Sequence, residues 1–475
     1  MSTPYWVAGR PSSSADVVEV RSPFDGSLAG TTSQAMAADV EAAVAAAEAV
    51  ADEYAVLPAH VRAAALDHVS RRLAERADEV AALITAEAGK PLKWARAEVN
   101  RAVSTFRWAA EESRRFSGDL QRLDTDPTAN GRLALVRRVP RGPVLGIAPF
   151  NFPLNLVAHK VAPAVAVGTP IILKPAPATP LVALLLGELL AETDLPAGAW
   201  SVLPVPNEVA SELVADPRLP VVSFTGSGPV GYGILDRVPR KHVTLELGGN
   251  AAAVVCPDWT DLDWAAQRIA TFSMYQAGQS CISVQRVYVH EDVFDAVADA
   301  VVAHVRKLNT GVPTDEATDV GPLINEAAAV RVENWVNEAV SAGATLLTGG
   351  TRDGAVVAPT VLANVPEDCK VVAEEVFGPV VVLTPFSTVD EAFAKVNSSR
   401  FGLQAGLFTN DVKLAFRASA RLKVGGLIVG DVPSFRADQM PYGGVKESGI
   451  GREGVRSAMD DLTEEHVLVL TGLEL

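Results

Sequence analysis

Val221-Val222-Ser223-Phe224-Thr225, followed at once by Gly226-Ser227-Gly228-Pro229-Val230-Gly231, decides how the chain is read. An apolar run of strand length ends in Gly-x-Gly-x-x-Gly. That spacing lets a strand turn tightly into a helix whose first N–H groups face an anion. Outward from this stretch the pattern repeats. Short apolar runs at 144–148, 170–173, 200–203, 221–224 and 243–247 alternate with helical stretches. Such alternation predicts a parallel sheet of the dinucleotide-binding type. By spacing alone Glu246, twenty residues after Gly226, falls where an acidic residue meets an adenosine ribose.

Before this region, alanine-rich segments at 38–57, 60–87 and 94–116 carry apolar residues three and four apart and predict amphipathic helices. After it, a second α/β half from 251 to 446 is expected, with helices over 261–277, 293–308 and 326–341 and strand-like runs at 345–350 and 371–383. A length of 475 residues exceeds what one core organises, so two or three domains are expected. A formal charge of −16 excludes nucleic acid and an anionic membrane surface as partners, since both reward a basic protein. The three cysteines, Cys256, Cys281 and Cys369, are too few and too scattered for a disulfide framework, and no Cys/His cluster has metal-ligand spacing. No signal-like N-terminal segment and no apolar run of about 20 residues is present. A cytoplasmic location is expected.

Two motifs carry chemistry. Gly278-Gln279-Ser280-Cys281 sets a lone cysteine among small residues that leave its sulfur reachable. An unpaired cysteine is more often a small buried hydrophobe than a nucleophile. The second motif changes that balance: Glu246-Leu247-Gly248-Gly249-Asn250 places a carboxylate at the end of an apolar run, 35 residues earlier. A thiol nucleophile with a separate carboxylate base suits a reaction that forms a covalent thioester and opens it with water.

These two motifs resemble the paired signatures of the aldehyde dehydrogenase superfamily. Further matches run along the chain: Pro149-Phe150-Asn151-Phe152-Pro153, Lys174-Pro175, Phe224-Thr225-Gly226-Ser227, Glu375-Val376-Phe377-Gly378-Pro379 and Pro441-Tyr442-Gly443-Gly444-Val445-Lys446. The resemblance implies an α/β fold with a Rossmann-like cofactor domain (1–118 and 141–248), an α/β catalytic domain (249–448) and a small β oligomerisation arm (119–140 and 455–475). It implies a homodimer or homotetramer that oxidises a small aldehyde to the acid with a nicotinamide cofactor.

Site residues follow from the same resemblance. Cys281 matches the nucleophile, Glu246 the base that activates water, and Asn151 with the Cys281 N–H the oxyanion donors, so Glu246 is withdrawn from the ribose. Pro149, Phe150, Lys174, Gly226, Ser227, Gly231, Leu247, Gly248, Glu375 and Phe377 match cofactor positions, with Ser227 at the pyrophosphate and Glu375 at the nicotinamide ribose. The glutamate that many NAD-preferring relatives carry shortly after the lysine is missing from Lys174-Pro175-Ala176-Pro177. NAD is the expected cofactor, with room for NADP. Arg101, Asn155, Leu156, His159, Ser280 and Arg436 are expected at the aldehyde, which two arginines and a histidine would suit if it is anionic or hydroxylated. Arginines paired with neighbouring carboxylates are the competing reading. Glu453 matches a proton-relay position or a structural ion-pair partner. A coenzyme-A-acylating enzyme and a catalytically silent binding protein are the rival functions, and the retained Glu246, Cys281 and Asn151 tell against both.

Overall fold

The computed structural model describes residues 2–474; Met1 and Leu475, the ends of the expected cofactor domain and arm, lie outside the described residues. The alanine-rich N-terminal region folds into helices α1 (Ala37–Ala55), α2 (Ala59–Glu75), α3 (Ala77–Ala88) and α4 (Leu92–Arg115). The expected continuous helix over 60–87 is broken at Arg76 (φ −104°, ψ 21°). Arg76 reaches Glu79 on α3 and Glu188 in helix Leu181–Ala191 of the same domain, and the change of axis lets α3 pack on α4. Periodicity reports each turn of a helix but not a change in its direction.

The alternating runs form a sheet in the order Arg10–Ser12, Tyr5–Val7, Trp200–Val202, Ile171–Lys174, Val144–Ile147, Val221–Thr225, His242–Glu246, Gly449–Ile450. Its five central strands are parallel. They are joined through α5 (Asn155–Val167), α6 (Leu181–Ala191), α7 (Asn207–Ala215) and α8 (Gly228–Arg237). Strand residues here are buried on both faces, which is why they read as unbroken apolar runs rather than alternating ones. The order reverses between Val144–Ile147 and Val221–Thr225, and a crevice opens beyond the carboxyl ends of those two strands.

A second sheet of seven strands has its own core. Ala252–Val255 lies near its middle, between Arg286–His290 and Gln404–Phe408. The helix expected over 261–277 ends earlier, as α9 (Leu262–Met274). The strand-like run 371–383 divides into a helical turn Lys370–Ala373, a loop, and strand Val380–Phe386. Pro379 has no N–H to give a ladder. The Gln285 amide fixes the loop instead, donating to Val371 O and Glu374 O and accepting from the Val376 N–H.

Asp119–Arg122, Arg132–Pro140 and Thr463–Thr471 form a separate antiparallel sheet. Residues 455–461, expected in the arm, are instead a helix, Val455–Asp461, whose Val455 and Met459 are buried in the first domain's core with Leu462. Apolar residues at this spacing make a helical stripe. Among the described residues no helix is long and apolar enough to cross a membrane, and no cluster of side chains could hold a metal ion.

Candidate active site

A cavity of ≈ 720 Å³ occupies the crevice where the first sheet reverses, and the second domain closes it. Pro149, Phe150 and Asn151 enter it from the end of Val144–Ile147, Lys174 from the end of Ile171–Lys174, and Gly226 and Ser227 from the turn after Val221–Thr225. Leu247, Gly248 and Glu246 follow or end the fifth parallel strand. Cys281, Glu375 and Phe377 arrive from the second domain.

Ser227 is the N-cap of α8 and makes no side-chain cap bond, so its hydroxyl and the first N–H groups of the helix are available to a phosphate. A Cβ at Gly226 would stand 2.6 Å from the Phe224 ring, so only glycine passes this turn. Gly231 has a different task. It does not line the cavity, and a Cβ there would stand 2.5 Å from Leu247 Cδ2. The third glycine of the fingerprint lets α8 lie close on the sheet. Lys174 Nζ donates to Asn207 Oδ1 at 3.1 Å, and burial draws the amine down to about 8. Glu375 accepts the Gly249 N–H at 3.0 Å; burial lifts it to about 7, with that bond pulling the other way. The Phe377 ring meets the edge of Phe150, centroids 5.9 Å apart at 88°.

The loop that carries Cys281 is conformationally costly. After α9, Gln276 (φ 54°), Ala277 (φ 52°) and Gly278 (φ 70°) all lie in the left-handed region, and non-glycine residues held there mark a site the surroundings over-determine. A Cβ at Gly278 would collide with Gly378 O, so this turn runs directly against the loop that carries Glu375 and Phe377. Asn151 Nδ2 donates to Gln279 O at 2.9 Å, pinning the asparagine to the turn, and its Oδ1 is buried without a partner. The Cys281 sulfur lies 2.9 Å from Tyr442 Oη. Burial pushes the thiol up to about 12, against the bond to Tyr442.

Glu246 is buried, and among the described residues neither carboxylate oxygen has a partner. Burial first, then the charge of Glu453, hold it well above the usual carboxylate range. Glu453 shares the site with the cations: Arg436 Nη2 donates to it at 3.0 Å and Lys160 Nζ lies 3.6 Å away. Burial would raise Glu453, but Arg436 and Lys160 outweigh it and hold it at about 2.

The expected aldehyde-binding residues fall behind this network. Arg101, Asn155, His159, Ser280 and Arg436 do not line the large cavity, whereas Leu156 does. Arg101 is paired with Asp438 at 3.0 Å, and the fully buried His159 donates Nε2–H to the same carboxylate at 3.3 Å. Burial and Arg436 draw His159 down to about 4, so it is neutral at pH 7. Ser280 Oγ accepts the Ile282 N–H at 3.4 Å. Asn155 Oδ1 accepts from Thr105 at 3.2 Å. A buried cation needs a counter-charge, which Glu453 supplies to the buried Arg436, while Asp438 pairs with the part-exposed Arg101. Donors remain unmatched even so: Arg436 Nε and Asn155 Nδ2 are buried without partners.

Sequence reasoning named neither Lys160, Asp438, Tyr442 nor Arg331, which also lines the cavity and donates to Val376 O at 2.8 Å. Tyr442 stands inside a quoted motif, so a signal existed for it; Asp438 is a loop residue, and Lys160 and Arg331 are ordinary helix residues, without one.

Residues 9–468 match the aldehyde dehydrogenase family. The chain is 42% identical over 467 residues to 3-sulfolactaldehyde dehydrogenase of Priestia megaterium, covering 98% of this chain and 97% of that protein. It superposes on the crystal structure of aldehyde dehydrogenase 21 from Physcomitrella patens in complex with the reaction product succinate, with a TM-score of 0.98, 45% identity and coverage of 100% and 99%. Against NADP-dependent glyceraldehyde-3-phosphate dehydrogenase from Bacillus halodurans complexed with NADP, the TM-score is 0.95 at 32% identity, covering 99% of each chain.

Proposed function

The chain belongs to the aldehyde dehydrogenase family, whose members oxidise aldehydes with NAD(P), and we propose that here Cys281, Asn151 and Glu246 carry that reaction. One observation supports the reading above the others: residues from two domains bring a thiol, an amide and an unpartnered carboxylate to one end of a cavity whose other end is a helix N-terminus and a lysine. Cys281 adds to the aldehyde carbon. The oxyanion is met by the second N–H of Asn151 Nδ2, whose first is bonded to Gln279 O, and by the Cys281 N–H, which carries no backbone hydrogen bond. Donors fixed in place before the charge develops are worth roughly 10²–10³ in rate.

When bound, NAD(P) supplies the hydride acceptor. The residues fit it: Ser227 and the start of α8 for the pyrophosphate, Lys174 for the adenosine ribose or its phosphate, and Glu375 for the nicotinamide ribose. Among the described residues Glu246 and Glu375 are the only carboxylate side chains lining the cavity, so none of them sits at the lysine end to oppose NADP. Glu246, with a raised pKa, is matched to taking a proton from the water that opens the thioester. This role separates the enzyme from a coenzyme-A-acylating one.

The substrate class we assign is a small anionic or hydroxylated aldehyde, such as a semialdehyde, lactaldehyde or sulfo-aldehyde. Both guanidiniums are already answered by carboxylates, so the support lies in the 3-sulfolactaldehyde and succinate named for the similar proteins. A homodimer or homotetramer in the cytoplasm, joined through the arm, is part of the same reading. The test is Cys281→Ala with a panel of small aldehydes, read by absorbance of the reduced cofactor. Oxidation should be lost while cofactor binding is kept. Turnover above ~1% of wild type, an order-of-magnitude threshold for losing a nucleophile, would sink the assignment.

A further inference from the structure

We propose that Tyr442 is a catalytic residue: its phenol O–H donates a hydrogen bond to the Cys281 sulfur and stabilises the thiolate form of the nucleophile, with Arg436 stacked on the ring to strengthen the donor. This rests on Cys281 being the nucleophile. The contact is direct, Oη to Sγ at 2.9 Å, and it lies in a region with little freedom. Tyr442 is 4% exposed and packs with Ile282 and Leu403 against Cys281. Its backbone is held by two bonds to Glu453, Tyr442 N–H to Glu453 O at 2.9 Å and Glu453 N–H to Tyr442 O at 2.6 Å.

Packing alone would be served by phenylalanine, so the buried hydroxyl calls for a chemical reason. A buried hydroxyl proton left without an acceptor is costly. Burial keeps this phenol protonated by pushing it well above its ordinary value, so it always has a proton to give, and the sulfur is the partner in reach. Over the face of the ring the Arg436 guanidinium sits 3.8 Å from the centroid, fixed there by Glu453. A cation over a phenol ring draws charge from it and makes the O–H a better donor. Glu453, Arg436, Tyr442 and Cys281 thus form one chain of contacts ending on sulfur.

The chemistry needs such a group. The Cys281 environment favours the neutral thiol, because burial pushes it up to about 12, and the thiolate is the nucleophile. A bond donated to the charged form favours that form. As the carbon–sulfur bond forms, negative charge leaves sulfur for the carbonyl oxygen, where Asn151 meets it. Stabilising a thiolate raises its population more than it lowers its reactivity, because nucleophilicity follows pKa with a slope of only about 0.4–0.5.

The test is alkylation of Cys281 by iodoacetamide across pH, with the labelled site located by mass spectrometry, in wild type, Tyr442→Phe, and an enzyme carrying 3-fluorotyrosine at 442. In Tyr442→Phe the midpoint of the profile should rise by about one pH unit or more, the tenfold expected for losing a hydrogen bond to a charged group. Alkylation at neutral pH should fall by about threefold, higher nucleophilicity offsetting part of the lost thiolate. The fluorinated phenol, a stronger donor of nearly the same size, should move both readings the other way. It decides the matter if the phenylalanine variant does not fold. Unchanged or faster alkylation in Tyr442→Phe would overturn the proposal, since the sulfur would then be donating its own proton to the phenol oxygen. Alkylation reads the sulfur without turnover, so failure of the nucleophile assignment would show separately, as oxidation surviving in Cys281→Ala.

Discussion

At the scale of single residues the site is governed by how two buried carboxylates divide the charges around them. Glu453 has Arg436 and Lys160; Glu246 has no hydrogen-bond partner and is held up by burial and by Glu453 itself. The group with cations ionises first, and its charge then opposes ionisation of the other. Replacing Glu453 with Gln removes that opposing charge and leaves Arg436 and Lys160 to favour an ionised Glu246. The acidic limb of the kcat–pH profile should therefore move to lower pH, measured in steady state where deacylation limits turnover. A limb that stays or rises would mean that Glu246 does not report the base. The position of Cys281, Glu246 and Asn151 at the cavity was legible because each sits in a motif of small or rigid neighbours. Asp438 and Lys160 were not, because a charge in a sequence carries no sign of which other charge it will face.

At the scale of elements, helix ends show what a pattern misses. The N-terminus of α6 begins at Leu181 without a side-chain cap of its own; its first N–H groups are bonded by Glu87, at 2.7 Å to Leu181 and 3.1 Å to Val182. Glu87 stands on α3, 94 positions away. Burial raises its carboxyl to about 8 from an ordinary 4.5, the two N–H bonds opposing the rise. A carboxyl whose folded value is raised keeps a proton that the unfolded chain has released. Its contribution is fully present below about 4.5 and is lost as pH rises through about 8. Glu87→Gln keeps an acceptor for the helix and removes the titration, so its thermal midpoint should vary less with pH across that window than wild type does. Thermal unfolding at fixed ionic strength reads this directly, and an unchanged slope would count against the linkage.

At the scale of the whole molecule the arm leaves an apolar strand exposed. Thr463–Thr471 is the edge strand of its sheet, and Val467, Leu468, Val469 and Leu470 are 53%, 47%, 46% and 37% exposed. A long apolar edge left open is a template for association. Substituting Val467→Lys together with Val469→Lys should shift the enzyme toward monomer in sedimentation at fixed protein concentration, while the first domain's core, which the arm does not enter, stays folded. An unaltered mass would remove the arm from the interface. By itself the sequence determined the alternation of strands and helices, the glycine turn into α8, and the motifs holding the thiol, the amide and the carboxylate, because these are local: periodicity and steric allowance act between near neighbours in the chain. Only the tertiary structure decided that Gly231 packs against Leu247 outside the cavity, that the two arginines meet carboxylates, and that Tyr442 touches Cys281, 161 positions away. Those outcomes depend on burial and on charge met through space, and neither has a period along the chain.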